Sequence, residues 1–298
     1  MKVISFSLWG DNPEYSIGAI VNADIAKEQW PEWVCRYYVA PTVPSSVIEE
    51  LDSRDNVEIV REDVISNILD VKIKGGNGWE GEPFGMFWRM IPASESDVEV
   101  VIIRDVDSRL HIRDKMAVEE WIESDKDFHI MRDNCQHGLE MCGGLWGVKN
   151  HGFSDAADRI KEYVKENTDD SNHDQFFLKN LFSTRAMKNS YVHDDWFPFN
   201  KWYASAPLED RTFTHHPFPI PRLRGDGWWN QEFPEWHGGI EDDKEKYPHW
   251  FGEDGQGHCF LKCSACGEFH DNEYLGKAVA ITKEEQKKYL HLLNKEKV

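Results

Sequence analysis

Residues 98–109 read VEVVIIRDVDSR, a run of β-branched apolar residues that ends in two aspartates, Asp105 and Asp107. A strand with one face in water alternates apolar and polar residues, whereas a continuous run of this kind marks a strand covered on both faces. Such cover takes helices on both sides of a sheet, and the rest of the chain supplies them. KVISFSLWG, WVCRYYVA and NVEIV read as strands, and SIGAIVNADIAKEQW and SSVIEELDSR as the helices between them, the second with Ser45 or Ser46 placed to cap it ahead of Glu49 and Glu50. GGNGWEGEP is a loop by its glycines, and FGMFWRMIPASE a helix with a late proline. After the aspartates come a helix in DKMAVEEWIES, strands in FHIM and MCGGLWGVK, and helices in DAADRIKEYVKEN and HDQFFLKNLF. This alternation predicts an α/β fold with a doubly wound, mainly parallel, Rossmann-like sheet and helices on both faces. Ligands of such sheets bind at the carboxyl ends of the strands, where Asp105 and Asp107 stand.

Residues i and i+2 of an extended segment point the same way. Asp105 and Asp107 therefore offer two hard oxygen ligands on one side, a set that suits Mn²⁺ or Mg²⁺. Taken without its context, a D-x-D is also an ordinary turn. The formal charge of −20 opposes non-specific attraction to nucleic-acid backbones and anionic membranes. The opening MKVISFSLWGDNPEYS lacks the pattern of a signal peptide, and no apolar run has the length of a spanning helix, so a cytoplasmic location is expected. Cys35, Cys135 and Cys142 lie among core-like residues and read as buried thiols.

RDVDSR, with FWRM ahead of it and GGLWGVK behind, resembles the metal-binding D-x-D motif of glycosyltransferases with the nucleotide-diphospho-sugar transferase (GT-A) fold. SFSLWGDNPEYSIGAIVNA, HIMRD, DQFFL and VHDDWF extend the resemblance to a phage and environmental-bacterial group of such proteins, over about the first two thirds of the chain. It implies transfer of a sugar from a nucleotide-diphosphate donor, UDP-linked, by a catalytic domain over residues 1–225. It implies a host-cytoplasmic location if the protein is phage-encoded.

In that setting Asp105 and Asp107 hold the cation, and the resemblance implies His193 of VHDDWF as a third ligand. Arg89, Arg104 and Arg109 are candidates for phosphate or sugar contacts, Arg104 the least suited because it points opposite to Asp105; the alternative is local pairing with Glu95, Asp97 or Asp114. Ser5, Phe6, Ser7 and Trp9, with Tyr15 nearby, would line the base pocket, or else belong to the core and a helix start. Gly143 and Gly144 let backbone approach the donor sugar, or form a bulge. Asp174 binds donor hydroxyls or acts as general base, or simply stabilises a helix N-terminus. A second function class uses the same carboxylates in a nucleotide-binding protein without transfer, or in a metal-dependent phosphohydrolase.

Residues 226–298 read as an appendage. Cys259, Cys263, Cys266 and His270, with His258 as a spare, have the composition of a structural Zn²⁺ site. Trp228, Trp229, Trp236 and Trp250 precede it, and aromatic faces stack on sugars and bases. The acceptor stays open between a glycan, lipid-linked or protein acceptor and a hydroxymethylated base in DNA, toward which Arg222, Arg224, Lys262 and the lysine-rich terminus could form a basic rim.

Overall fold

The computed structural model describes residues 1–70, 85–108, 110, 112–132, 140–166, 173–194, 214–216, 288 and 291–292. Eight strands are present among them: β1 (Lys2–Leu8), β2 (Trp33–Val39), β3 (Val57–Arg61), β4 (Val100–Arg104), β5 (Phe128–Arg132), β6 (Leu145–Lys149), β7 (Ser190–Asp194) and β8 (Thr214–His216). They form one sheet in the order β3-β2-β1-β4-β6-β5-β7-β8. All adjacent pairs are parallel except the two made by β6, which runs against both β4 and β5. The sheet is mixed, with the expected parallel majority.

The helices are α1 (Pro13–Gln29), α2 (Ser45–Asp52), α3 (Glu62–Leu69), α4 (Gly85–Trp88), α5 (Ile112–Glu123), α6 (Ala156–Glu166) and α7 (His173–Thr184). They cover both faces, and β4 shows why its sequence is apolar throughout. Val100 and Ile102 join the core formed with α1, α2 and α5, while Val101 and Ile103 join the core formed with α3, α6 and α7. β1 divides in the same way, Ile4 and Phe6 to the first face and Val3 to the second. Cys35 and Cys142 are buried and outside any disulfide, and burial pushes Cys35 up to about 12; Cys135 lies outside the described residues.

Four local expectations change. SSVIEELDSR forms α2, but Pro44 is its N-cap residue and no side chain caps it. The Ser46 hydroxyl instead donates to the Leu292 carbonyl at 2.5 Å. FGMFWRMIPASE yields only the one-turn α4 and a 3₁₀ turn at Ile91–Ser94, since Pro92 lacks the N–H that would continue a helix. That break leaves Arg89 in the bend between them. α3 has no counterpart among the elements expected from the sequence, although Ile65 and Leu69 are spaced for one buried helical face. β7 lies in a stretch that reads as irregular from Arg185 onward.

Leu292, from the stretch predicted as an appendage, is buried in the core shared by α1, α2 and α5. α5 is held at its end by Lys149 of β6, whose ammonium donates to the carbonyls of Trp121, Ile122 and Ser124 at 2.6–3.0 Å. A cation there satisfies terminal carbonyls and complements the helix dipole. No helix among the described residues is long and apolar enough to cross a membrane.

Candidate active site

Asp105 is the first residue past β4. Its carboxylate contacts the guanidinium of Arg89, which also reaches Asp174 Oδ2 at 3.3 Å. Arg89 is fixed from its own backbone, whose N–H donates to Ser7 Oγ of β1 at 3.1 Å. Asp174 opens α7 and is 2% exposed. Burial raises its carboxyl above the ordinary carboxylate range; Arg89 pulls the other way, and the negative charge of Asp105 adds to the rise. One strand end, one bend and one helix start thus bring two carboxylates onto one guanidinium.

The loop before β6 closes this cluster. A methyl at Gly144 would overlap the Asp105 carboxyl, and one at Gly143 would stand 2.6 Å from Asp174 Oδ2 and 2.8 Å from an Arg89 nitrogen. Neither position has room for a side chain, so the two glycines lay bare backbone against the charged groups. Gln175 holds that backbone: its amide accepts from the Gly143 N–H at 2.9 Å and donates to the Met141 carbonyl at 3.2 Å.

Asp107 is buried in the turn after β4, where the Ser108 N–H donates to the Asp105 carbonyl at 3.2 Å. Asn22 of α1 grips the same turn. Its amide nitrogen donates to the Val106 and Ser108 carbonyls at 3.1 and 2.8 Å, and its oxygen accepts from the Leu110 N–H at 3.0 Å.

The structure sorts the remaining sequence candidates. Ser5 and Ser7 are buried, and Ser7 supports Arg89. Phe6 points to the other face, stacked on Tyr37 with ring centroids 4.9 Å apart, and is a core residue there. Trp9 is half-buried against the core on the Arg89 side, and Tyr15 packs on the opposite one.

Arg104 corrects its assignment as a donor contact. It turns to the face away from Asp105, forms a two-pronged pair with Asp114 of α5 (2.9 and 2.7 Å), and donates to the Ile103 and Trp146 carbonyls.

His193 is likewise not brought to the aspartates. β6 and β5 lie between its strand and β4 in the sheet, a separation of about 14 Å. Its Nδ1 meets His129 Nε2 at 2.9 Å and its Nε2 meets Glu120 Oε2 at 3.0 Å. Arg109, Cys259, Cys263, Cys266, His270, His258 and the tryptophans 228, 229, 236 and 250 lie outside the described residues. Among the described residues no group of three or more His, Cys, Asp or Glu is gathered into a metal cage.

Asn22 and Gln175 were missed by sequence reasoning. Asn22 had a signal, a lone amide inside the apolar helical stretch GAIVNADIA; Gln175 stood inside the quoted DQFFL but had no distinguishing local pattern.

Neither a family model nor a curated protein matches the chain. Among solved structures it is similar to the galactosyltransferase LgtC in complex with donor and acceptor sugar analogues, at 15% identity and TM-score 0.44 over 78% of this chain and 90% of that one. It is similar to glucosyl-3-phosphoglycerate synthase from Mycobacterium tuberculosis in complex with Mn²⁺ and UDP-glucose, at 8% identity and TM-score 0.43 over 76% and 72%. A third is the mannosyltransferase PcManGT from Pyrobaculum calidifontis in complex with GDP-mannose and Mn²⁺, at 11% identity and TM-score 0.40 over 73% and 56%.

Proposed function

We propose that the protein is a metal-dependent glycosyltransferase that moves a sugar from a nucleotide-diphosphate donor, UDP-linked as the resemblance of its motifs implies, to an acceptor. The observation that carries this reading is the cluster of half-buried Asp105 with buried Arg89 and Asp174 at the carboxyl end of β4, with the Gly143–Gly144 backbone laid against it. Asp105 and Asp107 would hold Mn²⁺ or Mg²⁺. The donor set fits, being hard carboxylate oxygen. When bound, such an ion stabilises as a Lewis acid the charge that grows on the departing nucleoside diphosphate.

The chain's own residues do the rest. Arg89 fixes the orientation of both carboxylates. Bare backbone at Gly143 and Gly144 lets the loop before β6 close directly onto Asp105, Arg89 and Asp174, where any side chain would collide. Asp174, its proton affinity raised by burial, is suited to bind donor hydroxyls or to receive the acceptor's proton. Asp174→Asn separates these roles, a rise in donor KM marking the first and a fall in kcat the second. The sequence of residues 226–298 supports a zinc-stapled appendage offering Trp228 and Trp229 to the acceptor; elemental analysis of purified protein tests the zinc.

The deciding experiment replaces Asp105 and Asp107 together by Ala and follows nucleoside diphosphate and transferred sugar. Wild type should release both in step and lose both in chelator, as should the variant without chelator. Full activity of the variant in chelator would overturn the reading, and free sugar as the sole sugar product would replace transfer by hydrolysis.

A further inference from the structure

The sheet stops positioning β4 at Arg104. The last described pairings place Ser5 beside Ile103 and Leu145 beside Arg104, and the backbone then leaves the ladder one residue before the first aspartate. From Val106 to Leu110 the grip of Asn22 takes over. Its three hydrogen bonds fall on residues 106, 108 and 110, so they bracket Asp107 from both sides. The amide is fully buried, and each of its polar atoms meets a partner of the right polarity. α1 is in turn a rigid platform, packed on the sheet through Ile17, Ile20, Val21 and Ala23.

We infer that Asn22 is the positioning residue of the cation site: it sets where the Asp107 carboxylate stands by holding the turn that carries it. The inference rests on the proposed metal-dependent reading and adds to it a residue that touches neither donor nor cation. Groups that orient a ligand from behind are worth roughly tenfold or more in metal affinity. Asn22→Asp keeps the size and the acceptor for Leu110 but turns an oxygen on the Val106 and Ser108 carbonyls, so the turn is released on the aspartate side. A general loosening of α1 is the rival explanation, and Asn56 supplies the control. Its amide donates to the Ala23 carbonyl at 2.9 Å, next to Asn22 on the same helix but away from the turn.

The test titrates full-length protein with Mn²⁺ and reads the free-ion signal by electron paramagnetic resonance, alongside thermal unfolding and hydrogen exchange of the turn amides. Asn22→Asp should weaken Mn²⁺ binding by about tenfold and speed exchange at Ser108, while Asn56→Ala lowers the melting temperature and leaves the Mn²⁺ affinity at the wild-type value. Should Asn22→Asp fail to fold, Asn22→Ser, with a donor and an acceptor on a shorter arm, carries the same comparison. Equal Mn²⁺ affinity in wild type and the Asn22 variant overturns the inference and leaves the metal reading standing. An equal loss in Asn56→Ala overturns it too, and a wild type that takes up no Mn²⁺ removes both together.

Discussion

Arg89 and Arg104 are both buried, both paired with carboxylates and both close to Asp105 in the chain, yet they face opposite sides of the sheet and are coordinated differently. Every guanidinium nitrogen of Arg104 has a protein partner: Asp114 takes Nε and Nη2, the latter also meeting the Met131 sulfur, and the Ile103 and Trp146 carbonyls take Nη1. Arg89 holds two carboxylates with one nitrogen each, and its Nε is buried without a partner among the described residues. A buried arginine matched to one carboxylate and to carbonyls is complete in itself and fastens α5 to β4. One shared between two carboxylates on different elements, with a buried nitrogen short of a partner among the described residues, is instead the arrangement expected where something else binds.

Crossing the two residues gives the largest expected effect. Arg104→Met removes one member of a complete buried pair and should cost about 3–5 kcal/mol of stability, with the remaining folded molecules as active as wild type. Arg89→Met should instead lower kcat/KM for transfer by about 10²–10³-fold, with a smaller change in unfolding free energy because Asp174 can take up a proton. Denaturant unfolding and initial rates on the same preparations check both. Matching losses of stability and activity in both variants would erase the distinction between the faces.

The sequence made one of these faces readable and hid the other. An apolar run ending in Asp105 and Asp107 reports a two-sided strand and its carboxyl end, because burial on both faces leaves a purely local trace. Gly143 and Gly144 stood out for the same reason, since close approach excludes side chains. His193 did not: its neighbours His129 and Glu120 are set by the pairing of β5 with β7 and by the packing of α5, contacts between distant parts of the chain. Arg104 was half legible. Strand alternation turned it away from Asp105, and Asp114 was one of three acids that could meet it, but only the placement of α5 chose among them.

The faces should also respond to acid in opposite directions, and the Arg104 side gives the stronger response. His129 is fully buried, stacked on Trp121 with centroids 5.1 Å apart, and burial holds its pKa well below the ordinary histidine value. The nearby charges of His193, Arg104 and Lys149 act in the same sense. An unfolded histidine takes up a proton below about 6.5, whereas His129 in the fold does not. Its contribution to stability is therefore present above that pH and is lost as pH falls, at up to about 1.4 kcal/mol per pH unit. Unfolding followed from pH 8 to pH 5 should show this loss in wild type and a flatter profile in His129→Gln. Equal slopes would mean that the ring is charged in the fold.

Asp174 on the Arg89 side should give the smallest effect and the reverse sign. Its folded pKa is raised by burial, so the stabilising contribution belongs to the protonated form, is complete below the unfolded carboxylate value, and is lost as pH rises through the folded pKa. Arg89 opposes the rise, and for that reason the change should be weaker than that of His129. Asp174→Asn removes the ionisation while keeping the shape. At neutral pH the variant should be slightly more stable than wild type, and the gain should shrink toward zero in acid, where the wild-type carboxyl is neutral as well. A variant that is instead less stable at neutral pH, with the difference closing in acid, would mean that the pairing with Arg89 outweighs burial. Asp174 would then be an ionised partner held by Arg89 as Asp114 is held by Arg104.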